Sequence, residues 1–416
     1  MTTSAEQPRT RSTEPEQSRG RGSEPRTAVV AIKRIFAAEG ANYFLLLGTT
    51  IFLVVLGLVM VLSSSAVESL RDGGGGFSGF TNQGLYALIG VPLMLVVSRL
   101  PVSFFKRWAP IGIAVGIVLQ LLVFTPLGWG YGGNRNWLSL AGFSMQPSEL
   151  VKLALCLWLA WVLSAKPERL HDWRQLLKVV APVAAASIGL VLVGNDLGTA
   201  VIMLAIVFGS LFFAGVRLRF LVVPGILIGM FGVLFAQLSA SRRARIEAWL
   251  SGCETDYLDT CWQVQHGTWA LASGGVFGVG LGNSRTKWSW LPEAENDFIF
   301  AIIGEELGLL GAAVVLLLFV VLAIAFVRII RQQRDPFSRI VASGIMVWVI
   351  SQAFVNIAVV LGILPVLGVP LPLISAGGSA LITTLLGIGV ALALARNRAM
   401  PTGAVGAPAS ERGGAA

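Results

Sequence analysis

The sequence predicts an all-α integral membrane protein of about ten transmembrane helices, with a long extracytoplasmic loop between spans seven and eight. Three observations carry this. Charged residues make up only 13% of the 416-residue chain and hydrophobic ones 55%, whereas a soluble domain carries roughly 25% charged residues. Apolar runs of about 20 residues, the length that crosses a bilayer, recur along the chain. Lys and Arg collect in alternate connecting segments, as the positive-inside rule requires of a polytopic protein. The formal charge of +9 is therefore an orientation signal and not a nucleic-acid footprint.

Residues 1–40 are rich in Arg, Glu, Ser and Pro, with almost no large apolar residue before Val29. They cannot bury enough surface to fold alone and are expected to be a disordered, basic cytoplasmic tail. The membrane body is expected over 41–398. Its first span, Tyr43 to Leu62, is too long for a signal-peptide core and follows a polar tail, so it is expected to be retained. The spans fall at about 42–62, 82–98, 108–125, 147–164, 179–193, 199–214, 220–239, 298–327, 340–362 and 379–395. The fifth and sixth are short. One set of loops holds Arg99, Lys106 and Arg107; Lys166, Arg169, Arg174 and Lys178; Arg217 and Arg219; and Arg328, Arg331, Arg334 and Arg339. The opposite short loops hold only Arg71 and Arg135. Both termini are then expected in the cytoplasm, and the loop 240–298 outside. That loop is long enough to be exempt from the charge rule, so its Arg242, Arg243 and Arg245 do not contradict the orientation. Residues 399–416 form a second tail of disordered composition.

Polar groups break the apolar pattern at several places, all mapping to the outer half of the bundle. In "GGNRNWLSLAGFSMQPSELVKL", Pro147 suits the first turn of the fourth span, and Glu149 and Lys152 are i,i+3 neighbours on one helix face. They read as an intramembrane ion pair that joins helices or as the lining of a substrate cavity; the two overlap. Arg135 reads as a lipid-headgroup anchor or a substrate ligand. In "GNDLGTA", Asp196 has the placement of a helix N-cap. The outer loop carries five of the chain's 12 Trp, namely Trp249, Trp262, Trp269, Trp288 and Trp290, which favour the membrane interface. Its Gly-rich "HGTWALASGGVFGVGLGNS" is expected to form short helices on or in the outer leaflet. No metal-ligating cluster surrounds His266, so no metal site is expected there. Cys156 lies mid-span; Cys253 and Cys261 share the oxidising outer loop and are expected to form a disulfide. At "LPVLGVPLPLISAGGSALITT", three prolines precede Ser375, Gly377, Gly378 and Ser379, which open the last span as a plain helix start or as N–H donors to an anion. The stretch "LPEAENDFIFAIIGEELG" places five carboxylates at the mouth of the eighth span.

Four of these stretches, "NRNWLSLAGFSMQPSELVK", "NDLGTA", "GVGLGNSRTKWSWLPEAENDFIFAIIGEELG" and "LGVPLPLISAGGSA", come in one order and one membrane placement. Together they resemble the SEDS family (shape, elongation, division and sporulation) over nearly all of Tyr43 to Arg396. The "SSSAV" ending the first span and the basic tail resemble its division branch more than its elongation branch. The resemblance implies a peptidoglycan glycosyltransferase that polymerises lipid II outside the cytoplasmic membrane, beside a class B penicillin-binding protein and other division proteins. It carries the family's essential aspartate to Asp297 and its Glu/Lys pair to Glu149 and Lys152. Substrate contacts are expected from Arg135, Glu149, Lys152, Asp196, Gln265 and Ser273, and from Lys287, Ser375, Gly377, Gly378 and Ser379. Trp137, Gln146, Ser148, Glu305 and Glu306 are expected in support. Three positions depart from the pattern: Ala376 and Ala380 stand where the family commonly has hydroxyl-bearing side chains, and His266 where Ser is common.

The chemistry fits those residues. One carboxylate base suffices if it deprotonates the acceptor 4-hydroxyl while a pyrophosphate leaves already charged, so a second acid carboxylate of the kind glycosidases use is not needed. Asp297 is expected in the first helical turn of the eighth span, where the helix dipole favours its charged form and burial opposes it. Glu305 and Glu306 lie about 12–13 Å deeper along that helix, too far to share the reacting hydroxyl, and are expected to hold a cationic or hydroxyl partner each. Glu293 and Glu295 are expected to be solvated. No motif demands a cofactor, and a divalent cation (Mg or Mn) is left open. A lipid II flippase and a noncatalytic division scaffold are the competing readings. The concentration of polar residues in one half of the bundle favours chemistry at one surface over transport.

Overall fold

The computed structural model describes residues 40–71, 78–131, 134–140, 143–166, 168, 170, 172–237, 240–251, 261–288 and 291–396. Both tails and Cys253 lie outside the described residues. Twelve α-helices follow one another among the described residues. They are α1 (Ala41–Arg71), α2 (Ser78–Val97), α3 (Val102–Leu122), α4 (Pro147–Ala165), α5 (Trp173–Val193) and α6 (Leu197–Ala214), then α7 (Arg219–Gln237), α8 (Ala240–Leu250), α9 (Trp262–Gly274), α10 (Ile299–Gln332), α11 (Pro336–Val360) and α12 (Gly378–Arg396). Nine are long and apolar enough to cross a membrane, and α7 carries a shorter apolar stretch, Arg219–Gly232. The protein is thus a multi-pass helical membrane protein, with one helix at each of the ten expected positions.

Helices α4, α11 and α12 are the most buried spans, and α2 and α3 leave most of their surface to lipid. Around them α2 packs on α12, α3 on α4, α6 on α11, and both α1 and α9 on α10. Trp348 of α11, fully buried with Phe326 and Leu155, marks the centre of the core.

Three details differ from expectation. First, α5 begins at Trp173, so Arg174 and Lys178 lie within the helix and not in a loop. Asp172 sets that start by accepting the Arg174 N–H at 2.9 Å, which satisfies one of the free donors of a first turn. Second, the segment before α4 is not helical. It forms a three-stranded antiparallel sheet of β1 (Gly128–Tyr131), β2 (Asn134–Leu140) and β3 (Phe143–Met145). Gly128 and Gly130 discourage a helix, and β2 alternates: Asn136 and Leu138 are buried while Arg135 and Ser139 are exposed. Trp129 and Trp137 face each other across β1 and β2 and stack at 5.9 Å, the cross-strand aromatic pair that favours a hairpin. Third, α10 is kinked. Gly308 has φ 69° and ψ −168°, a conformation open essentially to glycine alone. The freed carbonyls of Glu305 and Glu306 accept the N–H groups of Val279 and Gly280, each at 3.0 Å, and Leu309 donates to Gly275 at 2.9 Å. The Gly-rich outer loop is thereby stitched to the kink.

Candidate active site

Three loops meet at one end of the bundle: 194–199 before α6, 291–298 before α10, and 364–377 before α12. Hydrogen bonds hold them together. Ser375 donates its hydroxyl to the Asn296 carbonyl at 2.6 Å and accepts the Leu371 N–H at 2.8 Å. Ala376 N–H donates to the Glu295 carbonyl at 2.9 Å. Gln83 of α2 donates to the Ser375 carbonyl and accepts the Gly377 N–H. Gly198, at the start of α6, lies against the Leu367 carbonyl so closely that a Cβ there would come within 2.3 Å of it.

Asp297 stands at this junction. It precedes Phe298, which occupies the N-cap position of α10 without a side-chain cap bond. Asp297 is therefore neither in the first helical turn nor a cap, because its chain has not yet entered the helix. The side chain is half-buried, and its carboxylate makes no hydrogen bond or ion pair among the described residues. One carboxylate oxygen lies beside Gly368, 3.6 Å from the position a Cβ would take there. Burial pushes the Asp297 carboxyl up to about 7; the negative charges of Glu293 and Asp196 add to this, and Arg245 of α8 opposes it. A carboxylate in that range is matched to proton abstraction near neutral pH.

Asp196 caps α6, as its sequence placement suggested: one oxygen accepts the Thr199 N–H at 2.8 Å. The other accepts from Gln146 at 3.0 Å, and the Gln146 N–H donates to the Ser379 hydroxyl at 3.1 Å. Burial raises the Asp196 carboxyl despite the Thr199 bonds. Glu149 and Lys152 form an ion pair of 2.9 Å, both almost fully buried. Lys152 also donates to Gln352 at 2.9 Å and lies 5.1 Å from the Trp348 ring centre. Ser148 is buried beside the pair, and its hydroxyl has no partner among the described residues.

Glu305 and Glu306 hold a different element. Glu305 accepts from the Ser284 hydroxyl, the Arg285 N–H and the Thr286 hydroxyl. Glu306 pairs with Lys287 at 3.1 Å and accepts from Ser63 of α1 at 2.7 Å. The two carboxylates thus fasten the 284–287 loop under α10. Lys287 is buried in that ion pair and donates also to the Gly282 carbonyl, so its ammonium is turned inward and not toward Asp297.

Other candidates are dispersed. Arg135 sits on β2 with its guanidinium on the Thr125 carbonyl at 2.8 Å, and Trp137 is half-buried beside it in the sheet. Ser273 is exposed, its hydroxyl bonded back to Ala270 within α9. Gln265 is half-buried on α9, the helix that packs against Phe298 through Gly267. His266 is sandwiched between Trp262 and Trp269, 4.0 and 4.8 Å away. At the start of α12 the N–H groups of Ser375 and Gly377, read as donors to an anion, are already taken by the Leu371 carbonyl and by Gln83, and Gly378 gives its face to the Tyr86 ring. Glu295 is half-buried against Gly79 and is not a solvated loop charge. Cys261 is disulfide-bonded and Cys156 is a free, buried thiol.

Sequence reasoning missed Gln352, Asn356, Gln83 and Arg245. The two amides on α11 carried a signal, since polar side chains one turn apart in an apolar span need partners. Arg245 sat in a stretch read only for orientation.

Residues 43–400 match the family model FtsW/RodA/SpoVE, described as cell cycle protein. A Mycobacterium tuberculosis protein named "Probable peptidoglycan glycosyltransferase FtsW" is 40% identical over 357 residues, covering 86% of this chain and 68% of that one. Stage V sporulation protein E of Bacillus subtilis is 36% identical over 354 residues, covering 85% and 96%. A chain solved in "Structural coordination of polymerization and crosslinking by a peptidoglycan synthase complex" superposes with TM-score 0.70 at 26% identity, over 85% of this chain and 97% of that one. The crystal structure of Thermus thermophilus rod shape determining protein RodA gives 0.64 at 27% identity, with the same coverage. With a family model spanning the whole helical body and relatives this similar over most of their length, the chain belongs to the FtsW/RodA/SpoVE family of cell cycle proteins, the SEDS family its motifs resemble.

Proposed function

We propose that this protein is a peptidoglycan glycosyltransferase that polymerises lipid II at the outer face of the cytoplasmic membrane during cell division, with Asp297 as general base. The observation that carries the assignment of the base is the Asp297 carboxylate itself: half-buried, free of protein partners among the described residues, and raised to about 7. In the reaction, Asp297 takes the proton of the acceptor GlcNAc 4-hydroxyl. The oxygen attacks the donor MurNAc C1, the C1–O bond to phosphate breaks, and undecaprenyl pyrophosphate leaves with its charge. The anomeric centre inverts. Arg245, exposed on α8 and facing Asp297 electrostatically, is the cation nearest in effect to the reacting groups and would meet the pyrophosphate. Asp196, Gln146 and Ser379 form the polar wall beside it. Glu149 and Lys152 support that wall from within the bundle; their pairing with Gln352 and stacking near Trp348 suit a fixed strut better than a carrier that changes partners during transport.

In this reading the partner is a class B penicillin-binding protein, which crosslinks the new strands, and both termini face the cytoplasm at the division septum. The test is polymerisation by the purified protein with that partner, supplied with lipid II and no nucleotide sugar. Glycan strands that muramidase digests are expected. Lipid II translocation without polymer, or no activity in an otherwise competent complex, would refute the assignment.

A further inference from the structure

Helix α11 is almost wholly apolar, yet it carries two amides one turn apart, Gln352 and Asn356, both at most 2% exposed. Asn356 uses both hydrogens of Nδ2. One bond goes to the Asp297 carbonyl at 2.7 Å, the other to the Val369 carbonyl at 2.7 Å. Its Oδ1 is buried with no partner among the described residues, so there the amide is held by its donors. Gln352 donates Nε2 to the Pro370 carbonyl at 3.0 Å, and its Oε1 accepts from Lys152 and from the Trp348 indole, each at 2.9 Å. An unbroken polar chain therefore runs from the Glu149–Lys152 pair through Gln352 to the 369–370 backbone, and through Asn356 to the backbone of Asp297.

We infer that Asn356 is a positioning residue for Asp297, and that Gln352 couples that position to the buried Glu149–Lys152 pair. The inference rests on Asp297 being the base. Its physical ground is that, among the described residues, no protein group hydrogen-bonds the Asp297 carboxylate, so the carboxylate is aimed through its backbone. Among the described residues the hydrogen bonds that join that backbone to the facing 368–370 turn pass through one atom, Nδ2 of Asn356. A side chain that serves here must offer two N–H donors from one short amide. Asp offers none when ionised, and Leu leaves two buried carbonyls unpaired.

The experiment measures lipid II polymerisation against pH by the full-length protein with its partner, each variant normalised to folded protein by thermal melt. Asn356→Leu is expected to lose about 10²-fold in kcat, the scale of an ångström-size misplacement of a reacting group. KM should change little, and the pH midpoint of kcat should move, because the carboxylate leaves its setting among Glu293, Asp196 and Arg245. Gln352→Met should move both in the same sense but less; it leaves the Asn356 bonds intact and decides the matter if Asn356→Leu does not accumulate. A purely structural role predicts lower abundance with wild-type kcat and midpoint per folded molecule, and that result overturns the inference. Asp297→Asn runs in parallel. If it stays active, the base assignment itself has failed; if it is inactive while the α11 variants keep wild-type kcat and midpoint, only the positioning role has.

Discussion

Asp297, the proposed base, takes its ionisation from what surrounds it. A carboxylate in water titrates near 4; here burial and two neighbouring carboxylates hold the proton on to about 7, against the pull of Arg245. A base must be deprotonated to act, so kcat/KM, which reports groups of the free enzyme, is expected to be half-maximal near pH 7 and to fall as pH drops below it. Glu293→Gln removes a charge that raises the group and should move that midpoint to lower pH. Arg245→Gln should move it upward. A midpoint that ignores both substitutions in a titration of kcat/KM against pH would show that another group controls the rate. The motif "ENDFIF" singled out Asp297 as the candidate, but its surroundings were not legible. Glu293 is close in sequence, whereas Asp196 and Arg245 approach from α6 and α8, and no spacing rule reports that.

At the scale of elements, the greasy eighth span and its carboxylates resolve into two devices. Reading Glu305 and Glu306 as supports within an apolar helix called for a hydroxyl or cationic partner for each, and each has one. That reading could not show that the partners come from the 284–287 loop, nor that the helix bends directly afterwards. Lys287 was expected at the substrate because it is basic and lies in the outer loop; the structure turns it onto Glu306. Breaking such a buried pair strands a charge, so Glu306→Leu should cost about 3–5 kcal/mol, and Glu306→Leu with Lys287→Met distinctly less. Equal losses in thermal or denaturant unfolding would mean that the pair is not coupled. Gly308→Ala should cost about 1–3 kcal/mol from its backbone conformation alone. It should also free the 275–280 loop, because a Cβ would lie 2.3 Å from the Gly278 nitrogen. Faster proteolysis of that loop is the readout. The small sheet before α4 was missed for another reason: two of its three strands are only three or four residues long, and a strong membrane pattern on both sides masks the alternation of the third.

For the whole molecule, the lengths of the apolar runs gave a helix at each expected span position, because hydrocarbon demands long helices and leaves little choice. Lys106 at the start of α3 meets Asp335 at the start of α11 at 3.2 Å, which places those two starts on one side, as alternating loops require. The orientation is checked by cysteine labelling in intact cells. Ser251→Cys should react with an impermeant maleimide, and Arg334→Cys only after permeabilisation. The proposed function depends on loops far apart in sequence converging on one carboxylate, and that is the claim most open to direct attack. The decisive measurement is glycan-strand synthesis from lipid II by Asp297→Asn, with abundance and partner binding shown to match wild type. Asn keeps the shape and the backbone contacts but cannot accept the proton, so the rate should fall by about 10²–10⁴-fold. Retention of most of the wild-type rate would contradict the account.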